Sequence, residues 1–319
     1  MRRLRILTWP VHGSCMYYVS HAPDDCYLPV SEDESGGSGG RGTNFWLDDN
    51  VHDIPLEEVG CTTFDVILFQ ARRPYEADQH RILSEAQRSI PRIYLEHDPP
   101  RESPTDTQHP VDDATMLLVH VTHFNDLMWD SGRTPTRVIE HGVTVPHEAH
   151  DTGELERGLV VINNIHQRGR RLGADVFERT RRELPLDLAG MDAERYGGWS
   201  LGLEELHLMQ GRDRFLFNPI RYTSLGVAIC EAMMIGMPVV GLAITEMVST
   251  IRNSTNGFVG TDLRKVIGYA SHLLRNPGLA RELGAGGRRT ACERFGIERF
   301  ARDWSETFLD LAGRGAAHR

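Results

Sequence analysis

The segment Phe215-Leu-Phe-Asn-Pro-Ile-Arg-Tyr-Thr-Ser-Leu-Gly-Val-Ala-Ile-Cys-Glu-Ala-Met-Met-Ile-Gly-Met-Pro-Val-Val-Gly241 reads as strand, loop, helix and strand, one βαβ unit. Its apolar start runs into Asn218-Pro219. Thr223 or Ser224 is expected to cap a helix that stops at Gly236, and Pro238 opens the next buried strand. One charge, Glu231, sits inside that helix. Val227, Ala228, Met234 and Ile235 lie at helical spacing from it and the opposite face is hardly more polar, which predicts a buried helix. A buried carboxylate without partners is costly, so Glu231 requires either protein groups, such as a structural ion pair with an arginine, or the hydroxyls of a bound ligand. Gly226 leaves room for a close approach near the helix N-terminus, where open N–H groups and the helix dipole favour phosphate.

Outward from this unit the same alternation continues in both directions. Strands are expected at 3–9, 64–69, 92–96, 116–121 and 137–140, with helices beginning near Cys15 and spanning 75–90 and 123–130. Residues 31–42, rich in Gly, Ser and acidic side chains, are expected to form a mobile loop. Periodicity vanishes over 147–157, a linker, and strands resume at 159–162 and 186–189 with helices at 174–183 and 202–210. Helices at 262–276, 278–295 and 297–311 close the chain, the last with an apolar stripe of Phe300, Trp304, Phe308 and Leu311. Strands alternating with helices over 319 residues predict two doubly wound α/β domains.

The net charge of −10 opposes broad nucleic-acid binding and adhesion to anionic lipid, leaving at most peripheral membrane contact. Lys265 is the only lysine, so any phosphate site must be built from arginine, histidine or backbone amides. Five widely spaced cysteines without a Cys-x-x-Cys suggest neither a disulfide framework nor a zinc site. No run of 18 apolar residues and no signal-like start occurs, and a cytoplasmic location is expected. His120 and His123, and His147 and His150, are three apart but lack a further ligand at metal-site spacing, so no metal is expected.

Three places carry candidate chemistry beyond the opening segment. The turn at 10–14, with Gly13-Ser14, is either a plain strand–helix connection or a ligand-facing turn. His97 follows a strand whose carboxyl end should line a ligand crevice; alternatively it caps the strand end and bonds to Asp98. Arg168, Arg170 and Arg171 lie between a strand end and a helix start, a clamp suited to a diphosphate or a solvated basic turn.

On these residues the chain resembles GT-B glycosyltransferases, above all glycosyltransferase family 4. That family's Glu-Gly-Phe-Gly, four residues, Glu-Ala-Met-Ala-x-Gly-x-Pro-Val-Val is similar to Thr223, Ser224, Leu225 and Gly226, then Glu231, Ala232, Met233, Met234, Gly236, Pro238, Val239 and Val240. The resemblance implies a GT-B fold, two doubly wound Rossmann-like domains facing a central cleft. Its divisions are an acceptor domain at 1–147, a donor domain at 148–296 and a terminal helix at 297–319 packing back on the first. It implies that Glu231 holds the donor ribose, that His97 contacts the reacting sugar, and that Arg168 and Arg171 neutralise the leaving diphosphate. Gly13, Ser14, Thr245 and Glu246 join the donor site by position. Departures are Thr223, where the family has glutamate, and Thr245-Glu246, where it has Gly-Gly. The implied reaction moves a sugar from a nucleoside diphosphate sugar to a glycan, lipid or small-molecule acceptor, with retention, without metal or cofactor. A catalytically silent nucleotide- or glycan-binding subunit and a sugar-nucleotide epimerase are the alternatives.

Overall fold

The computed structural model describes residues 2–9, 13–31, 40–41 and 47–317; within helices, the side chains of 13–15 and 314–317 are outside that description. Most of the expected loop at 31–42 and residues 10–12 of the candidate turn therefore lie outside the described residues. The chain forms two compact units. One ends at Gly142 and takes in Ile297 onward; the other is Val143–Gly296.

The first unit is built on a seven-stranded parallel sheet of β1 (Arg5–Thr8), β2 (Asp25–Val30), β3 (Val51–Pro55), β4 (Val66–Phe69), β5 (Arg92–Glu96), β6 (Met116–His120) and β7 (Thr136–Val138), in the order β3-β2-β1-β4-β5-β6-β7. Its helices are α1 (Gly13–Val19), α2 (Leu56–Val59), α3 (Gln79–Ile82), α4 (Glu85–Arg88) and α5 (His123–Met128). β4 is buried at every position, as a parallel strand covered on both faces must be. Trp9 stacks on Phe69 with ring centroids 5.4 Å apart within its core.

Two strands, β2 and β3, are additions to the sequence reading. The helix expected at 75–90 is also broken into a π turn at Pro74–Asp78, then α3 and α4. The break is local chemistry: Ser84 accepts from the Gln87 N–H at 3.3 Å while Gln87 Oε1 accepts from the Ser84 N–H at 2.8 Å, a capping box that starts a new helix.

The second unit holds five parallel strands, β8 (Leu155–Val161), β9 (Leu186–Ala189), β10 (Asp213–Asn218), β11 (Val239–Leu242) and β12 (Gly257–Gly260), in the order β12-β11-β10-β8-β9. Around them lie α6 (Ile165–Arg168), α7 (Ala174–Thr180), α8 (Leu203–Gln210), α9 (Val227–Ile235), α10 (Met247–Thr250), α11 (Leu263–Arg275) and α12 (Pro277–Arg294). β8 begins inside the expected linker because Leu155 pairs with Asp213 of β10. The last helix, α13 (Ile297–Ala317), belongs to the first unit: Arg299 donates to the Glu140 and His141 carbonyls at 2.9 and 2.6 Å, and Arg137 donates to Thr307 Oγ1 at 2.7 Å. Phe300, Trp304 and Phe308 of its stripe are buried, while Leu311 is partly exposed.

Strand order locates ligand-facing ends. In each doubly wound sheet the order reverses once, between β1 and β4 in the first and between β8 and β10 in the second. Loops leaving the carboxyl ends of such neighbours diverge to opposite faces and leave a crevice between them.

Candidate functional site

In the second unit the loops that flank the reversal are those after β8 and β10, and the chain fastens them together. After β8, Asn164 takes a left-handed conformation (φ 52°), and α6 and a 3-10 turn at Gly169–Leu172 follow, ending at Gly173 with φ 82°. A Cβ on Gly173 would lie 2.1 Å from the Pro219 carbonyl oxygen, so only glycine lets the basic turn approach the loop after β10. The Arg171 carbonyl accepts from the N–H groups of Arg221 and Tyr222 at 3.0 and 3.3 Å, and its guanidinium reaches the Tyr222 carbonyl at 3.5 Å. Two stretches separated by about fifty residues in sequence thus form one surface.

The three arginines of the turn are not equivalent. Arg170 pairs with Asp175 at 2.6 Å, and Arg221, which sequence reasoning passed over, grips the same carboxylate at 2.5 and 2.8 Å. Hydrogen bonding from Arg221 holds the Asp175 carboxyl below its ordinary range. Arg170 and Arg221 are thereby tied to Asp175, Arg168 is exposed and Arg171 is half-buried. Nothing in the local pattern around Arg221 distinguished it from any loop arginine, because its partner lies on another helix.

The helix after this loop starts later than the capping residues suggest. Gly226 is the N-cap of α9, with no side-chain cap, and neither Thr223 nor Ser224 serves. The Arg221 and Tyr222 N–H groups bond to the Arg171 carbonyl, and the chain turns into the helix only after Leu225. Ser224 and Leu225 are buried and Thr223 is half-buried. Space is open where a Gly226 Cβ would stand, its nearest neighbour being the tip of Ile229 at 3.9 Å. Gly226 brings no side chain to the first turn of this nine-residue helix, where the Ile229 N–H bonds to the Gly226 carbonyl at 3.0 Å, and a helix N-terminus of this kind attracts an anion.

Glu231 lies on the buried helix, 3 % exposed, with His207 Nε2 of α8 3.5 Å from its Oε1. After β11, Thr245 holds a left-handed conformation (φ 46°), rare for a β-branched residue. Its buried hydroxyl has no hydrogen-bond partner among the described residues. Glu246 is buried, accepts a bond from the Ser249 hydroxyl and stands 3.7 Å from Arg294, so its carboxylate has protein neighbours of its own.

In the first unit, His97 leaves the end of β5 and lines a cavity of about 400 Å³. Its neighbour Asp98 pairs with Arg101. Beside His97 the structure brings in residues that sequence reasoning missed. Glu96 accepts from His109 Nε2 at 3.1 Å and from the Asp98 N–H at 2.9 Å, and Gln70, Tyr94 and Trp129 complete the wall. Gly13 and Ser14 open α1, where the backbone alone is described. Among the described residues, no three His, Cys, Asp or Glu side chains gather in a metal-holding group, and no helix is long and apolar enough to cross a membrane.

No family model and no curated protein matches the chain. Solved structures do. It is similar to sucrose-phosphate synthase from Thermosynechococcus elongatus, with 14 % identity and a TM-score of 0.73 over 98 % of this chain and 100 % of that one. A glycosyltransferase from Rickettsia africae gives 12 % identity and 0.70 over 98 % and 99 %. Anabaena HepE, solved in complex with UDP, gives 13 % and 0.68 over 97 % and 100 %. The fold is that of GT-B glycosyltransferases, an α/β architecture with two parallel sheets.

Proposed function

We propose that the chain is a glycosyltransferase of family 4 type that takes a sugar from a nucleoside diphosphate sugar to an acceptor bound by the first unit, with retention and without a metal. The observation that carries this reading is the fastening of the basic turn, through the Arg171 carbonyl, to the loop that feeds α9. A diphosphate at that place meets the guanidiniums of Arg168 and Arg171 and the N-terminal turn of α9, donors fixed before the reaction where negative charge develops on the leaving group. Glu231 then holds the ribose, with Thr223, Ser224, Leu225, Thr245 and Glu246 around the donor and His97 on the transferred sugar. HepE is also solved in complex with UDP-glucose, which supports a uridine donor as the first to try.

Calorimetry with UDP, GDP and ADP on the wild type and on Glu231→Ala tests the reading. The variant should bind the preferred nucleotide 10- to 100-fold more weakly, about 1.4–3 kcal/mol, while remaining folded by circular dichroism. Equal affinity in a folded variant removes the ribose role. The engagement of Glu246 with Ser249 and Arg294, together with Thr223 at the family's glutamate position, favours a second reading, a nucleotide-binding subunit without transfer. Tight nucleotide binding with neither transfer nor hydrolysis across a donor panel selects it.

A further inference from the structure

The cavity beside His97 has a chemistry of its own. Its wall comes from the ends of β4 and β5 and from the end of α5, which deliver Gln70, Glu96 and Trp129. His109 is 2 % exposed, and its Nδ1 accepts the Val111 N–H at 3.1 Å. The ring proton therefore sits on Nε2, where the neutral ring donates it to Glu96 Oε2. With Oε1 anchored by the Asp98 N–H, the carboxylate is held in one orientation and keeps lone pairs on both oxygens. Gln70 is 4 % exposed; its amide nitrogen donates to Thr8 Oγ1 at 3.1 Å and towards the Trp9 carbonyl at 3.4 Å, which assigns the other atom as Oε1. That oxygen has no hydrogen-bond partner among the described residues, although a buried carbonyl ordinarily finds one.

Both groups are acceptors, so their ligand must donate. A phosphate or carboxylate accepts at neutral pH and is refused by Glu96 and Gln70 alike. Charge points the same way, since the guanidiniums of Arg72 and Arg101 are outnumbered by the carboxylates of Glu96, Asp98 and Glu102. A hydroxyl both donates and accepts. Trp129 adds a flat, half-exposed apolar surface, locked by its Nε1–H to the Asp98 carbonyl at 2.8 Å and by edge contact with His109 at 4.9 Å. Hydroxyl acceptors on the wall beside a fixed indole, in a cavity of ligand size, match the polar edge and C–H face of a sugar ring.

We propose that this cavity binds a neutral saccharide, the terminal sugar of the acceptor, through hydrogen bonds to Glu96 and Gln70 and stacking on Trp129, and that it rejects phosphorylated sugars. The word acceptor rests on the transferase reading; the saccharide site does not. Saturation-transfer NMR on the full chain, with UDP present, provides the test. The probes are glucose, galactose, mannose, N-acetylglucosamine, sucrose and maltose, with glucose 6-phosphate as the anionic control. At least one neutral sugar should bind, more tightly than glucose 6-phosphate. Glu96→Gln and Trp129→Ala should each weaken it fivefold or more with UDP affinity unchanged, and Trp129→Phe should restore most of the loss. Binding of none of the sugars, tighter binding of glucose 6-phosphate, or unchanged saccharide binding in folded Glu96→Gln overturns the proposal. Saccharide binding without nucleotide binding leaves it standing and removes the transferase reading instead.

Discussion

At the reversal of the second sheet the chain presents donors: the Arg168 and Arg171 guanidiniums and the N-terminal turn of α9. At the carboxyl ends of β4 and β5 the first carries acceptors, Gln70 Oε1 and the Glu96 carboxylate, beside the Trp129 indole. Both places lie at the carboxyl ends of parallel strands, and the backbone in each is a strand passing into a loop. Topology thus decides where a ligand lies, and side-chain polarity decides what it is. The two units also secure their loops differently, the second by a glycine contact and two backbone hydrogen bonds, the first by a buried histidine between a carboxylate and a backbone amide.

The largest expected effect breaks the second site alone. Gly173→Ala places a methyl against the Pro219 carbonyl at a left-handed position, which should cost about 3 kcal/mol or more in urea denaturation and weaken UDP binding at least tenfold by calorimetry. An alanine variant with normal stability and affinity dissolves the link between the turn and the loop. Gly142→Ala is its counterpart in the first unit, where the new Cβ would lie 2.2 Å from Phe300 Cβ of α13. A loss of about 1–3 kcal/mol is expected, with UDP affinity intact.

The smallest effect is one of pH and has opposite signs in the two units. Burial pushes the Asp213 carboxyl up to about 7, with Asp187 adding repulsion. The native state therefore keeps a proton that the unfolded chain sheds near pH 4; this stability is full below pH 4 and lost as pH rises to about 7. In the first unit burial lowers His120 to about 4, so its contribution is present above the ordinary value of 6.5 and lost as pH falls towards 4. Asp213→Asn should gain about 1 kcal/mol at pH 8, where the relieved charge outweighs an amide short of partners, and lose stability below pH 4, where only the cost of that amide remains. Denaturation midpoints at pH 4, 6 and 8 check this; a gain that is the same at every pH excludes titration of Asp213 as its source.

Much of the fold was legible. The strand expected at 92–96 is β5, and Gly236, with φ 98°, is the C-cap of α9, because continuous apolar runs and a helix-ending glycine are local signals. β2 and β3 escaped because Pro29 and Pro55 sit in them, and proline inside a run argues against a paired strand. The break before α4 was written in Ser84-Glu-Ala-Gln87 and could have been read. The site was less legible. Arg168 and Arg171 stood out as a basic run, yet the engagement of Arg170 and Arg221 by Asp175 depends on a helix 46 residues away from Arg221. Glu96 read only as the last residue of a strand until His109 appeared against it.

By itself the sequence determined the alternation of strands and helices, the burial of the helix carrying Glu231 and the basic character of the turn at 168–171, since each depends on neighbours within a few residues. Only the tertiary structure decided which arginines are tied to Asp175, where α9 begins, and that Gln70, Glu96 and Trp129 share one wall. These depend on pairings between distant segments, and such pairings exist only after strand order has brought their loops together.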